Sequence, residues 1–162
     1  MRTVIIGNSG SGKTWLSRQL GNQFGVPVVH LDEIFWLPGG FDAKRDPSEV
    51  AEIVSNERAA VTWIAEGVYG DLASEFLPAA QTLIWLDIPW PVCKRRLEAR
   101  GSESKSHMNH AQTKDGLKAL IEWAEAIRRG GGLVADCHML RFSSCLPASV
   151  IGLSWKTKCR HS

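Results

Sequence analysis

Eight consecutive residues, Gly7-Asn8-Ser9-Gly10-Ser11-Gly12-Lys13-Thr14, follow the pattern G-x-x-x-x-G-K-S/T, with a strand-like run before them and a helix-like run after. That spacing suits phosphate binding. Glycines allow successive backbone N–H groups to turn inward around an anion, and the positive end of the following helix adds a fixed partial charge. Lys13 then reaches the β- and γ-phosphate oxygens of a nucleoside triphosphate, and Thr14 offers a hydroxyl to a Mg²⁺ ion that bridges the same oxygens. A Gly- and Ser-rich stretch can simply turn a chain, but a plain turn has no use for the Lys-Thr pair. All eight residues are therefore expected to hold a nucleotide, with ATP and Mg²⁺ as the expected ligands.

Three carboxylates end apolar runs. Glu66 follows Trp63-Ile64-Ala65, where it would take an ordered water of the Mg²⁺ shell or polarise an attacking group, so it joins Thr14 on the metal side. Asp87 follows Leu83-Ile84-Trp85-Leu86, and for both residues helix capping or a solvated strand end is the simpler reading. Asp32 opens a bulky apolar stretch, Ile34, Phe35, Trp36, Leu37 and Phe41, that would wall an acceptor pocket. There it would accept the proton of an acceptor hydroxyl, with Trp36 and Arg45 as further substrate contacts; its alternative is a helix N-cap. His30 reads as a satisfied core histidine. Arg96 and Arg100, four apart beside Lys94 and Arg95, share a helix face suited to phosphate oxygens, to stacking on a nucleobase, or to solvent alone. The expected catalytic set is Lys13, Asp32, Glu66, Arg96 and Arg100.

These groups need a scaffold that gathers distant stretches. Thr3 to Ile6 reads as a buried strand, Lys13 to Phe24 as a helix, Val26 to Leu31 as a second strand and Pro47 to Val61 as a helix that opens on proline. Strands follow at Thr62 to Ala65 and Thr82 to Leu86, then a helix from Pro89 or Trp90 to about Arg100. A polar flap spans Gly101 to Thr113, and a last helix stops at Gly130-Gly131-Gly132. Alternating strands and helices imply right-handed crossovers and a parallel sheet covered on both faces, with ligands at the C-terminal strand ends. Gly7, Asp32, Glu66 and Asp87 all fall there. Trp63 and Trp85 within strands, and Trp15 and Trp123 on helices, are expected in the core. Leu133 to Ser162 lacks periodicity. Leu146 to Trp155 either supplies a fifth strand or belongs to an atypical, even frame-altered, C-terminus.

With 162 residues, 44% hydrophobic and 22% charged, the chain has the size of one domain, expected as a core over 1–129 with a short lid at about 101–113 and a C-terminal segment over 130–162. No apolar run approaches the roughly 20 residues that span a bilayer, and no leader pattern opens the chain, so a cytoplasmic location and no membrane contact are expected. The four cysteines lack zinc spacing and read as free thiols. Residues 1–129 hold 15 Lys and Arg against 16 Asp and Glu, which speaks against DNA as a partner.

The chain resembles the adenylate kinase-like P-loop small-molecule kinases, and most closely their DNA topology modulation (FlaR-like) branch. The likeness is carried by Val4-Ile5-Ile6-Gly7 through Thr14, by His30-Leu31-Asp32-Glu33-Ile34-Phe35-Trp36, by Trp63-Ile64-Ala65-Glu66-Gly67-Val68-Tyr69 and by Leu86-Asp87-Ile88-Pro89, over about residues 1–129. It implies a P-loop NTPase fold with a five-stranded parallel sheet, ATP phosphates and magnesium at Gly10 to Thr14, and Glu66 in place of the acidic residue of the adenylate kinase Asp-Gly motif. Arg96 and Arg100 match the arginines that lead into the lid, and shikimate and gluconate kinases look similar at Asp32. Nucleoside monophosphate kinases carry Thr and Arg after the second strand, where this chain has Asp32 and Glu33, which would repel a phosphate unless Lys44 and Arg45 restore binding. Two functions are expected from this: a small-molecule kinase with a hydroxyl or nucleotide acceptor, or a regulatory ATPase acting through DNA or a protein partner. Either would work as a monomer or a homodimer.

Overall fold

A computed structural model describes residues 1–38, 43–68, 70–100, 113–129 and 149–154. Its strands are β1 (Arg2–Gly7), β2 (Val28–His30), β3 (Trp63–Gly67), β4 (Thr82–Asp87) and β5 (Ser149–Ser154). All pair in parallel in the order β2-β3-β1-β4-β5, so β1 is central and the strand ends gather the loops that follow them. β5 falls within the 146–155 window and pairs Thr82 with Ser149 through Asp87 with Ser154. The helices are α1 (Lys13–Phe24), α2 (Leu31–Phe35), α3 (Pro47–Ala59), α4 (Asp71–Phe76), α5 (Trp90–Arg100) and α6 (Thr113–Arg129), with a 3-10 turn at Leu77–Ala79.

The period-2 pleat divides each strand between two cores. Val4, Ile6, Val29, Trp63, Ala65 and Leu83 pack with Val54 of α3 and Ala73 and Phe76 of α4. Ile5, Ile64, Ile84 and Leu86 pack on the opposite face beneath Leu16 and Leu20 of α1. A third cluster joins Trp90, Cys93 and Leu97 of α5 to Ala124 of α6.

Two expectations about aromatic packing are corrected. Trp15 is 68% exposed and Trp123 48% exposed. In α1 the buried residues are Lys13, Ser17 and Gly21, and the small Ser17 and Gly21 let the helix lie close on β2. A Cβ at Gly21 would meet Val28 Cγ2 at 2.8 Å. This close approach rotates the helix so that Trp15 and Phe24 point outward. In α6 the inward stripe is Leu117, Leu120, Ile121 and Ala124, which leaves Trp123 beside it. β2 is also shorter than the Val26 to Leu31 run, because Leu31 already begins α2. No helix of the described residues is long and apolar enough to cross a membrane. Cys93 is buried, and its Sγ donates to the Ile88 carbonyl at 3.6 Å; the other three cysteines lie outside the described residues.

Candidate functional site

The loop between β1 and α1 is built for an anion. Gly7, Gly10 and Gly12 have φ of 158°, 79° and 100°, and at Gly10 a Cβ would meet the Cys93 carbonyl at 2.5 Å, so the loop turns where no side chain fits. Gly12 caps α1 without any side-chain hydrogen bond, and the first turn of α1 contains no acidic residue. The N–H groups at the opening of a 12-residue helix are thus left without a competing carboxylate. Ser11 Oγ is buried with no hydrogen-bond partner, as expected of a donor reserved for a ligand. Lys13 is buried, and its Nζ donates to the Asn8 carbonyl at 3.2 Å, folded back over the loop. These features fit a triphosphate.

The contact between Thr14 and Glu66 rests on sheet register. Glu66 follows Ile64 by two residues on β3 and so faces α1, where Thr14 Oγ1 donates to its Oε1 at 2.9 Å. By spending its proton on Glu66, Thr14 leaves its lone pairs for a cation. Burial pushes the Glu66 carboxyl up, but the hydrogen bond from His30, the Lys13 charge and the Thr14 hydroxyl together hold it below its ordinary value, so it is ionised at neutral pH. His30 Nδ1 lies 2.7 Å from the same Oε1. That hydrogen bond raises the His30 pKa against the opposing effect of burial, helped by the charges of Glu66 and Glu33 and countered by Arg18. Among the described residues no three His, Cys, Asp or Glu side chains group to hold a metal ion. A divalent ion here would take most of its oxygens from phosphates and water.

Asp32 is an exposed residue in the first turn of α2; the residue at the N-cap is His30. Trp36 follows α2, packs edge-on to Phe35 at 4.9 Å, and pairs with Lys44 across a short antiparallel bridge. Lys44 Nζ lies over both rings, 5.3 Å from Phe35 and 6.0 Å from Trp36. The Arg45 guanidinium is committed to protein groups: Nε donates to the Ile34 carbonyl at 3.0 Å, Nη2 to that of Glu33 at 3.4 Å, and Nη1 pairs with Glu49. It thus braces α2. Arg96 Nη1 donates to the carbonyls of Ser11 at 3.2 Å and Gly10 at 3.4 Å, within the loop between β1 and α1. The Arg100 side chain, and residues 101–112 of the expected lid, lie outside the described residues.

Sequence reasoning missed two links. His30 reads from the sequence as a core residue, whereas it stands at the strand end, in register with Glu66 and on the same face. Asn8 does more than line the loop: its Nδ2 donates to the Ala124 carbonyl of α6 at 3.0 Å and its Oδ1 accepts from Ser9 N at 2.8 Å. Nothing local in the sequence marks a contact across 116 residues.

No protein-family model matches the chain, and a search of curated proteins finds no match. Solved structures do match. A shikimate kinase from Bacteroides thetaiotaomicron is 14% identical over 93% of this chain and 85% of its own, with a TM-score of 0.54. A sugar kinase from Janibacter sp. HTCC2649 is 16% identical over 94% and 83%, with a TM-score of 0.52. A protein from Thermus thermophilus is 15% identical over 95% and 88%, with a TM-score of 0.51. The fold is that of the P-loop small-molecule kinases. Within that kinase fold, the loop after β1, the end of β3 and the start of α2 bring Lys13, Thr14, Glu66 and Asp32 to the same end of the sheet.

Proposed function

We propose that this chain is a phosphotransferase that moves the γ-phosphoryl group of MgATP to the hydroxyl of a small acceptor. The observation that carries the reading is the hydrogen bond of 2.9 Å from Thr14 to a buried, ionised Glu66 beside an uncapped, glycine-lined helix start. MgATP supplies the phosphoryl group and the cation that neutralises its charge. The backbone of Gly7 to Gly12 orients the phosphates, Lys13 follows the developing negative charge, and Thr14 with Glu66 fixes the cation's protein side. Asp32, exposed at the start of α2, accepts the acceptor's proton, and Trp36 offers it a flat apolar wall. Arg96 steadies the loop. Arg100, four residues after Arg96 in the sequence, meets the transferred phosphoryl group in this proposal.

Two features favour a hydroxyl acceptor over a nucleoside monophosphate. Asp32 and Glu33 place negative charge at the start of α2, and the Arg45 guanidinium that would offset it is engaged by Glu33, Ile34 and Glu49. The fold shared with a shikimate kinase and a sugar kinase supports a hydroxyl acceptor by analogy.

ATP turnover measured against a panel of nucleosides, monophosphates and hydroxyl metabolites tests the proposal. One acceptor is expected to stimulate ADP release, with Lys13→Ala lowering the rate about 100-fold or more and Asp32→Asn abolishing the stimulation. If no acceptor stimulates and Asp32→Asn leaves the basal rate unchanged, the kinase reading fails.

A further inference from the structure

The pleat of β2 sets His30 two residues after Val28, a residue of the α1-facing core, so His30 faces α1 as well. The parallel register then pairs His30 with Glu66. Two donors converge on a single oxygen: Thr14 Oγ1 reaches Oε1 from α1, and His30 Nδ1 reaches it from β2. An ionised carboxylate only accepts, so His30 must carry its proton on Nδ1. The carboxyl group of Glu66 turns about a soft terminal torsion. With Thr14 as the single partner of Oε1, that oxygen could swing with the hydroxyl; a second donor from a different element fixes the plane.

We propose that His30 is a positioning residue for the magnesium side of the site: its Nδ1–H holds Glu66 Oε1 in place, and Glu66 in turn holds the Thr14 hydroxyl with its lone pairs toward the cation. The inference rests on the MgATP reading above and adds a residue that the reading does not use. The same histidine is the residue from which α2 departs, so the strand end that orients Glu66 also sets the start of the helix bearing Asp32.

Three variants separate positioning from space filling. In His30→Asn the amide nitrogen is attached to Cγ, as Nδ1 is, whereas in His30→Gln it reaches the region of Nε2; His30→Ala removes the donor. The measured quantity is the Mg²⁺ concentration that half-saturates the tightening of a β,γ-imido ATP analogue, followed by calorimetry. It is expected to rise about 10-fold in His30→Ala and His30→Gln and to return toward wild type in His30→Asn, with analogue affinity in EDTA unchanged throughout. Equal Mg²⁺ requirements in wild type and His30→Ala, or no advantage of Asn over Gln, overturn the proposal. Should the Ala variant fail to fold, the Asn and Gln pair still decides. Imidazole ¹⁵N spectra of the nucleotide-free protein give a separate readout: Nδ1 is expected to be protonated, and the signature is expected to shift in Glu66→Ala. An unprotonated Nδ1 overturns the proposal. If wild type shows no Mg²⁺-dependent analogue binding, the MgATP reading itself fails, while the spectra still report on the His30–Glu66 bond.

Discussion

Glu66 is held ionised inside the sheet by neighbours that outweigh its burial, and this makes one hydrogen-bonded pair responsive to pH from both sides. His30, whose pKa is raised in the folded protein, contributes stability that is complete below its unfolded pKa of about 6.5 and is lost as pH rises through the folded value. Glu66, whose pKa is lowered, contributes stability that is complete above its unfolded value of about 4.3 and is lost as pH falls through the folded value. From this pair alone, the nucleotide-free protein is expected to be most stable between about pH 4.3 and pH 6.5. Thermal midpoints measured across pH for wild type and His30→Asn check this. The alkaline decline should be shallower in the variant, and identical slopes would remove the pair as its source. At this scale the sequence was most informative where backbone chemistry dictates residue type, as in Gly7 to Thr14. It was least informative for His30, whose significance depends on a partner 36 residues away in the chain.

The element most dependent on a single residue is α2. Five residues are too few for a helix to stand alone, and its carbonyls need partners. Trp36 N takes that of Asp32 at 3.0 Å, and Arg45 takes those of the last three residues: Glu33 and Ile34 through its guanidinium, and Phe35 through its backbone N–H at 2.9 Å. Arg45→Ala is expected to cost about 2 kcal/mol, and Arg45→Lys to recover little, because an ammonium cannot span two carbonyls as the fork does. Denaturant unfolding measures the loss, and hydrogen exchange at 31–36 should accelerate in both variants; full protection in Arg45→Lys would refute the bracing role. The sequence marks α1 by its glycine boundaries and α3 by Pro47 with Asp46, whose side chain accepts from Ser48 N at 2.8 Å. It does not mark α4 or the 3-10 turn, which are too short to show a period. The orientation of α1 was equally hidden, since apolar spacing suggests that Trp15 lies inward while the small face of Ser17 and Gly21 decides otherwise.

At the scale of the molecule, the near balance of 15 basic and 16 acidic residues over 1–129 predicts no strong duplex-DNA binding by the body of the protein. Titration with a fluorescent duplex at low salt, repeated as salt is raised, checks this. Tight binding that weakens steeply with salt would instead favour a role on DNA. The α/β class and the parallel sheet follow from alternating apolar strands and helices, whereas the strand order around β1 and the pairing of β5 with β4 depend on contacts that no local pattern announces. The glycine-rich loop after β1 is tied to both α5, through Arg96 and the close fit of Gly10 against Cys93, and α6, through Asn8. Synthesis therefore reaches the anion cradle long before the supports that shape it. A ribosome-bound chain that has not yet delivered α6 holds the whole glycine-rich motif in its sequence but lacks its outer frame, so the proposed grip on a triphosphate should arrive late, as one of the last events of folding rather than one of the first.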